Sequence, residues 1–176
     1  MNVPNILTSI RFGLVPIFIV VLFSSHPNNL RLSAYIFIIA GITDLLDGYI
    51  ARKYNLITKW GQAMDPLADK LMQLAVLFGL TVKQLIPIWV IIILGLKELL
   101  MIFGGIILYT KGGKIVIPAD KYGKAATIIF YIAILSIVFG FPYGKYLILM
   151  TVLLTLYAFT RYLLVGVNEM KKYKAS

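Results

Sequence analysis

The chain has no cysteine and a single histidine among its 176 residues. The first absence excludes disulfides, thiolate metal sites and cysteine nucleophiles; the second excludes any mechanism that needs a histidine pair. Charge is scarce as well, with only 14% of residues Asp, Glu, Lys or Arg. Against these shortages, 60% of residues are apolar and the mean hydropathy is +0.90. That balance excludes a water-soluble globular protein and leaves little chain for any extramembrane domain.

What is present is a series of apolar runs, at Ile6–Phe23, Leu32–Ile50, Pro66–Val82, Leu85–Tyr109, Gly123–Phe141 and Lys145–Val167. About 20 such residues cross a bilayer core of about 30 Å. Backbone groups in lipid must be satisfied internally, and the short alternating strands of a barrel are missing, so the runs read as helices. The expected fold is all-α, one membrane domain over residues 1–176 with six transmembrane helices. Breakers at His26-Pro27-Asn28-Asn29, Ile86-Pro87, Lys111-Gly112-Gly113-Lys114 and Phe141-Pro142-Tyr143-Gly144 fall between runs. No internal repeat supports a transporter built from duplicated halves. The first run loosely imitates a signal peptide, but Arg11 comes late and no clear small-residue cleavage site follows, so it reads as a retained span.

Lys and Arg outnumber Asp and Glu by 17 to 7, a net charge of +10. In so apolar a chain that excess points to anionic lipid head groups and phosphorylated substrates rather than nucleic acid. Short basic loops stay in the cytoplasm. Arg52, Lys53 and Lys59, then Lys111, Lys114, Lys121 and Lys124, then Lys171, Lys172 and Lys174 share one side; only Arg31, Lys83 and Lys145 share the other. Both termini are therefore expected in the cytoplasm, and His26 reads as a solvated loop residue on the opposite side.

Four of the seven acidic residues, Asp44, Asp47, Asp65 and Asp69, fall within 26 positions at the cytoplasmic ends of the second and third runs. A charge at the bilayer centre costs at least about 2.5 kcal/mol, so four together need compensation. Spacings of three and four put each pair on one helical face, and the two faces can converge across an antiparallel hairpin. Each residue also has a plain structural reading. Asp65 before Pro66 reads as an N-cap with proline at the first helical position. Asp69 beside Lys70 and Asp47 near Arg52 read as surface ion pairs. Capping and pairing do not explain all four on facing surfaces, whereas bound divalent cations remove their repulsion. An all-oxygen set suits Mg²⁺ or Mn²⁺ rather than zinc. Gly41, Gly48 and Gly61 on the same hairpin allow close helix approach, or let a flat group reach the backbone beside the carboxylates. Arg52, four residues after Gly48, is placed to clamp a phosphate.

Asp44-Leu-Leu-Asp47-Gly48-Tyr-Ile-Ala51-Arg52, eight residues, then Gly61-Gln-Ala-Met-Asp65-Pro-Leu-Ala-Asp69 reproduces without a gap D-x2-D-G-x2-A-R-x8-G-x3-D-x3-D. In this the chain resembles the CDP-alcohol phosphatidyltransferases. The opening Asn5-x-x-Thr8-x-x-Arg11 and the later Gly123-Lys124-x-x-Thr127 extend the likeness. The resemblance implies transfer of a phosphatidyl group from CDP-diacylglycerol to an alcohol with release of CMP, two divalent ions, and a homodimer. It assigns Asp44, Asp47, Asp65 and Asp69 to the metals and Asp69 also to the acceptor's proton. Gly48, Ala51, Arg52 and Gly61, with Asn5 and Thr8, are assigned to the cytidine diphosphate part of the donor.

For the acceptor, the cations Lys97, Lys124 and Arg161 form a candidate phosphate site. Lys97 beside Glu98 also reads as mutual neutralisation within a span, and Lys124 and Arg161 as snorkelling side chains near helix ends, Arg161 about one turn before its end. A cationic pocket favours a phosphorylated alcohol, and within the family the chain is most similar to the branch that uses sn-glycerol 3-phosphate. That branch usually carries Arg-Glu in the fourth helix and a further Arg; here Lys97-Glu98 is followed by Leu-Leu-Met-Ile-Phe-Gly-Gly. The CMP-forming cardiolipin synthases, which use phosphatidylglycerol, also resemble the Leu85-Ile-Pro-Ile-Trp stretch. A small cation channel or proton-coupled carrier would distribute its acids through the membrane depth, whereas these cluster at one face.

Overall fold

A computed structural model describes residues 2–54, 56, 58–111 and 121–175. The basic Lys114 and the Gly112-Gly113 break lie outside them. Among the described residues six helices follow one another: α1 Val3–Leu22, α2 Asn29–Lys53, α3 Lys59–Val82, α4 Ile88–Lys111, α5 Lys121–Val138 and α6 Gly144–Ala175. Among the described residues no strand occurs. Five of the helices are long and apolar enough to cross a membrane. The protein is thus a multi-pass helical membrane protein. The helix that falls short is α3, whose first half carries Lys59, Asp65, Asp69 and Lys70.

Two boundaries correct the hydropathy reading. Helix α3 begins at Lys59, seven residues before Pro66, so Pro66 lies inside the helix and Asp65 is not its N-cap. The cap is Thr58, whose Oγ1 accepts the Gly61 N–H at 3.0 Å. Apolar length marks where a helix can enter lipid; the capping hydroxyl marks where it starts. Helix α6 continues past Val167 to Ala175. Its polar last turns are joined by a Lys172–Glu169 ion pair at 2.7 Å, and Arg161 therefore lies well inside the helix.

The chain divides into two compact units, Met1–Ile86 and Pro87–Ser176. In the first, α1 packs against both α2 and α3, which meet each other more briefly. Pro4, Thr8, Arg11, Phe18 and Leu22 are buried, which is the stripe expected of a helix wedged between two neighbours. Gly79 of α3 accepts Leu22 so closely that a β-carbon there would collide with it. Helix α3 ends with Gln84 at φ 57°, its N–H bonded to the Thr81 carbonyl and the Leu85 N–H to that of Leu80.

In the second unit, α6 packs against α4 and α5. Gly104 and Gly105 of α4 lie against Tyr162 of α6. Gly140, at φ +74°, closes α5 in the same double-bonded way, with Gly140 N–H to Ile137 and Phe141 N–H to Ser136. The chain then re-enters at Gly144, where a β-carbon would fall 2.7 Å from Ile137 Cγ1 and 3.2 Å from its backbone nitrogen.

Candidate active site

Asn5, Thr8 and Arg11 recur every third residue along α1, so they form one polar ridge on an otherwise apolar helix. That ridge faces the carboxylates. Arg11 is 1% exposed, and its guanidinium reaches three of the four aspartates. Nη1 stands 3.1 Å from Asp44 Oδ1 and 2.8 Å from Asp69 Oδ1, while Nη2 bonds Asp47 Oδ2. Thr8 Oγ1 donates to Asp65 Oδ1, the fourth carboxylate. The two acidic faces therefore converge as expected, Asp44 of α2 meeting Asp69 of α3, with Arg11 of α1 against both.

Asp47 and Arg11 are sealed from water, whereas the Asp44 and Asp69 side chains keep 36% and 29% of their exposure. Asp47 and Asp69 pair with Arg11, which replaces the surface pairings to Arg52 and Lys70 offered by proximity in sequence. Lys70 instead reaches Gln73 Oε1 at 3.5 Å. Arg52 is exposed and lies along Gly48, where an added β-carbon would sit 3.4 Å from Arg52 Nη1. Half-buried Ala51 occupies the position between them, one turn beyond Asp47.

A second chain of contacts fixes the start of α3. Thr58 Oγ1 donates to Asn5 Oδ1 at 3.0 Å while capping Gly61. A β-carbon at Gly61 would lie 3.1 Å from both Asn5 Oδ1 and Thr58 Oγ1 and 3.6 Å from Asp65 Oδ2. A side chain at Gly61 would therefore fit only if Asn5 or Thr58 gave way by a few tenths of an ångström. The ridge on α1 ties Asn5 to the cap, Thr8 to Asp65 and Arg11 to the other three carboxylates.

Chemically this is an all-oxygen donor set in which one guanidinium opposes four carboxylates, leaving strong excess negative charge. Such a set suits hard divalent cations. Among the described residues, no three acidic or histidine side chains stand ready to hold one metal ion as placed. Arg11 takes the central position among them.

The second unit holds the candidate acceptor residues. Lys97 Nζ lies 2.6 Å from Glu98 Oε1, both largely buried, so the neutralising pair expected from adjacency is present. Arg161 stacks over the Tyr122 ring at 5.1 Å, and Tyr122 meets Tyr157 edge to face at 5.0 Å. Lys124 is exposed on α5. His26 is exposed, its Nδ1 accepting the Asn28 N–H at 3.1 Å, as a loop residue should. Sequence reasoning did not assign Arg11 or Thr58 to the site. The three-residue spacing of polar side chains on α1 was the signal for Arg11; the cap role of Thr58 showed only as a hydroxyl three residues before Gly61.

The sequence pattern of the CDP-alcohol phosphatidyltransferases matches residues 1–157, which include every member of the acidic cluster and its partners. The chain belongs to the CDP-alcohol phosphatidyltransferase family. Among its relatives, a CDP-diacylglycerol--glycerol-3-phosphate 3-phosphatidyltransferase of Rickettsia bellii is 34% identical over 139 residues, covering 79% of this chain and 76% of that protein. The protein of the same name from Bacillus subtilis is 37% identical over 138 residues, 72% and 70% of the two chains. CDP-alcohol phosphatidyltransferases generally depend on divalent metals, in keeping with the carboxylate set. Arg161 lies beyond the matched segment, whereas Lys97 and Lys124 fall within it.

Proposed function

We propose that this enzyme transfers the phosphatidyl group of CDP-diacylglycerol to sn-glycerol 3-phosphate, forming phosphatidylglycerophosphate and CMP. The observation that carries the reading is the unbroken eight-position motif whose four carboxylates gather on one ridge of α1. The names of the Rickettsia and Bacillus relatives support the choice of acceptor. Asp44, Asp47, Asp65 and Asp69 would hold two divalent ions, Mg²⁺ or Mn²⁺, which neutralise a diphosphate and polarise the phosphorus under attack.

The chain's own residues do the rest. Asp69, partly open to water, takes the proton of the acceptor hydroxyl as that oxygen bonds to the phosphatidyl phosphorus and the bond to the CMP oxygen breaks. With no cysteine and its one histidine in an exposed loop, the chain offers no thiol or imidazole nucleophile at the site, and direct attack by the acceptor is the simpler path. Gly61 and Gly48 keep the backbone open beside the carboxylates for the donor's cytidine diphosphate. Asn5, Thr8, Ala51 and Arg52 border that space, with Arg52 clamping phosphate. Lys124, Lys97 and Arg161 contribute positive charge for the acceptor's phosphate.

The donor's acyl tails stay in lipid while its nucleotide meets water, which requires chemistry at helix ends. We place that face in the cytoplasm, with six spans and both termini inside, on the bias of Lys and Arg toward one set of loops. The working unit in this reading is a homodimer. The test offers purified protein Mg²⁺ and CDP-diacylglycerol with glycerol 3-phosphate, phosphatidylglycerol, serine or inositol phosphate in parallel. Release of CMP with glycerol 3-phosphate alone is expected; release only with phosphatidylglycerol overturns the acceptor, and none with any acceptor overturns the activity.

A further inference from the structure

We infer that Arg11 is a positioning residue that acts as the internal counter-cation of the acidic cluster, holding the metal-free site together and competing with divalent ions for the same carboxylates. The inference rests on the metal-dependent reading above and goes beyond it. One buried side chain on α1 touches Asp44 and Asp47 of α2 and Asp69 of α3, so it supplies positive charge where carboxylates of those two helices meet. Without a cation there, sealed Asp47 would be an uncompensated charge.

The arrangement has an open side and a closed side. Nη2 and Asp47 are sealed, whereas Nη1 binds the two carboxylates that water can reach. An ion arriving from solution meets Asp44 and Asp69 first, and because Arg11 Nη1 holds Oδ1 of each, it competes with the ion for those oxygens. Among the described residues Arg11 Nε is buried with no hydrogen-bond partner, so the guanidinium is not saturated in this pose. A planar fork bridging three carboxylates is also a task that lysine, a point charge, reproduces only in part.

The experiment titrates Mn²⁺ into the full-length protein in detergent micelles, reading free Mn²⁺ by electron paramagnetic resonance, and measures melting in chelator and in saturating Mn²⁺. Arg11→Gln should bind Mn²⁺ at least about tenfold more tightly than wild type, because a repelling positive charge is gone. It should also melt lower in chelator, with Mn²⁺ closing most of the gap. Arg11→Lys keeps the charge, so its Mn²⁺ affinity should stay near wild type while its melting in chelator falls part of the way.

Mn²⁺ binding by Arg11→Gln no tighter than wild type, or melting in chelator unchanged in both variants, overturns the inference. If Arg11→Gln is recovered only with Mn²⁺ present, the stabilising role is supported directly. If it is not recovered at all, Arg11→Lys decides: melting identical to wild type in chelator refutes the role, and a gap that Mn²⁺ narrows supports it. Wild-type protein that releases CMP yet shows unaltered Arg11 variants would sink this inference alone. Wild-type protein that binds no Mn²⁺ sinks the metal reading beneath it.

Discussion

Replacing Thr8 with valine removes one hydroxyl and leaves the shape of the side chain nearly intact. That hydroxyl has one proton and two acceptors, the Pro4 carbonyl at 3.0 Å and the Asp65 carboxylate. The charged acceptor is the stronger one, so the proton belongs to Asp65. A hydrogen bond to a charged group contributes about 1.5–3 kcal/mol, which corresponds to roughly ten- to hundredfold if the bond fixes Asp65 in the reacting geometry. Thr8 is fully buried, so no water replaces the lost donor. Thr8→Val should therefore lower kcat/KM for CDP-diacylglycerol by roughly ten- to hundredfold in a CMP-release assay. Thr8→Ser, which keeps the hydroxyl, should retain most of the rate. Half-saturation by Mn²⁺ should rise in the valine variant alone. A valine variant within twofold of wild type, with unchanged Mn²⁺ dependence, would refute the claim that Thr8 orients Asp65.

Three further perturbations follow from the same contacts. Asp69→Asn keeps the size of the side chain but loses its basicity and one negative charge; turnover should fall below about one-thousandth while the donor still binds, and a near wild-type rate would remove Asp69 from the chemistry. Lys124→Ala should raise the KM for glycerol 3-phosphate more than that for the donor, and an unchanged acceptor KM would make Lys124 a surface residue. Gly144→Ala should destabilise the α5–α6 turn by about 1–3 kcal/mol, since the methyl meets the Ile137 backbone as well as its side chain; thermal melting in detergent that shows no loss would contradict that packing.

The helices were legible because lipid imposes a length and a composition that local sequence displays directly. The four aspartates were legible for the same reason: in so apolar a chain, each intramembrane charge is conspicuous. Less visible were events governed by single hydrogen bonds. The start of α3 depends on Thr58, which an apolar scan passes over, and Asp65-Pro66 imitated a helix start that lies seven residues earlier. Likewise the end of α6 is carried by polar turns beyond the apolar run. Arg11 illustrates a different limit. Its partners are 33 to 58 positions away, and its neighbours in sequence say nothing of them. The nearest cations in sequence, Arg52 and Lys70, were the natural candidates to pair with Asp47 and Asp69, and tertiary packing chose neither.

The position of Arg11 on the first helix also bears on how the protein is made. A ribosome delivers the chain from its N-terminus at about 5–20 residues per second, so α1 is in place seconds before α2 and α3 are complete. Each acidic helix then meets a guanidinium already waiting beside it. Were the arginine on α6 instead, the three carboxylates it binds would have to lodge near lipid without it until synthesis was almost finished. The order of the residues along the chain thus makes the cation before the anions it neutralises.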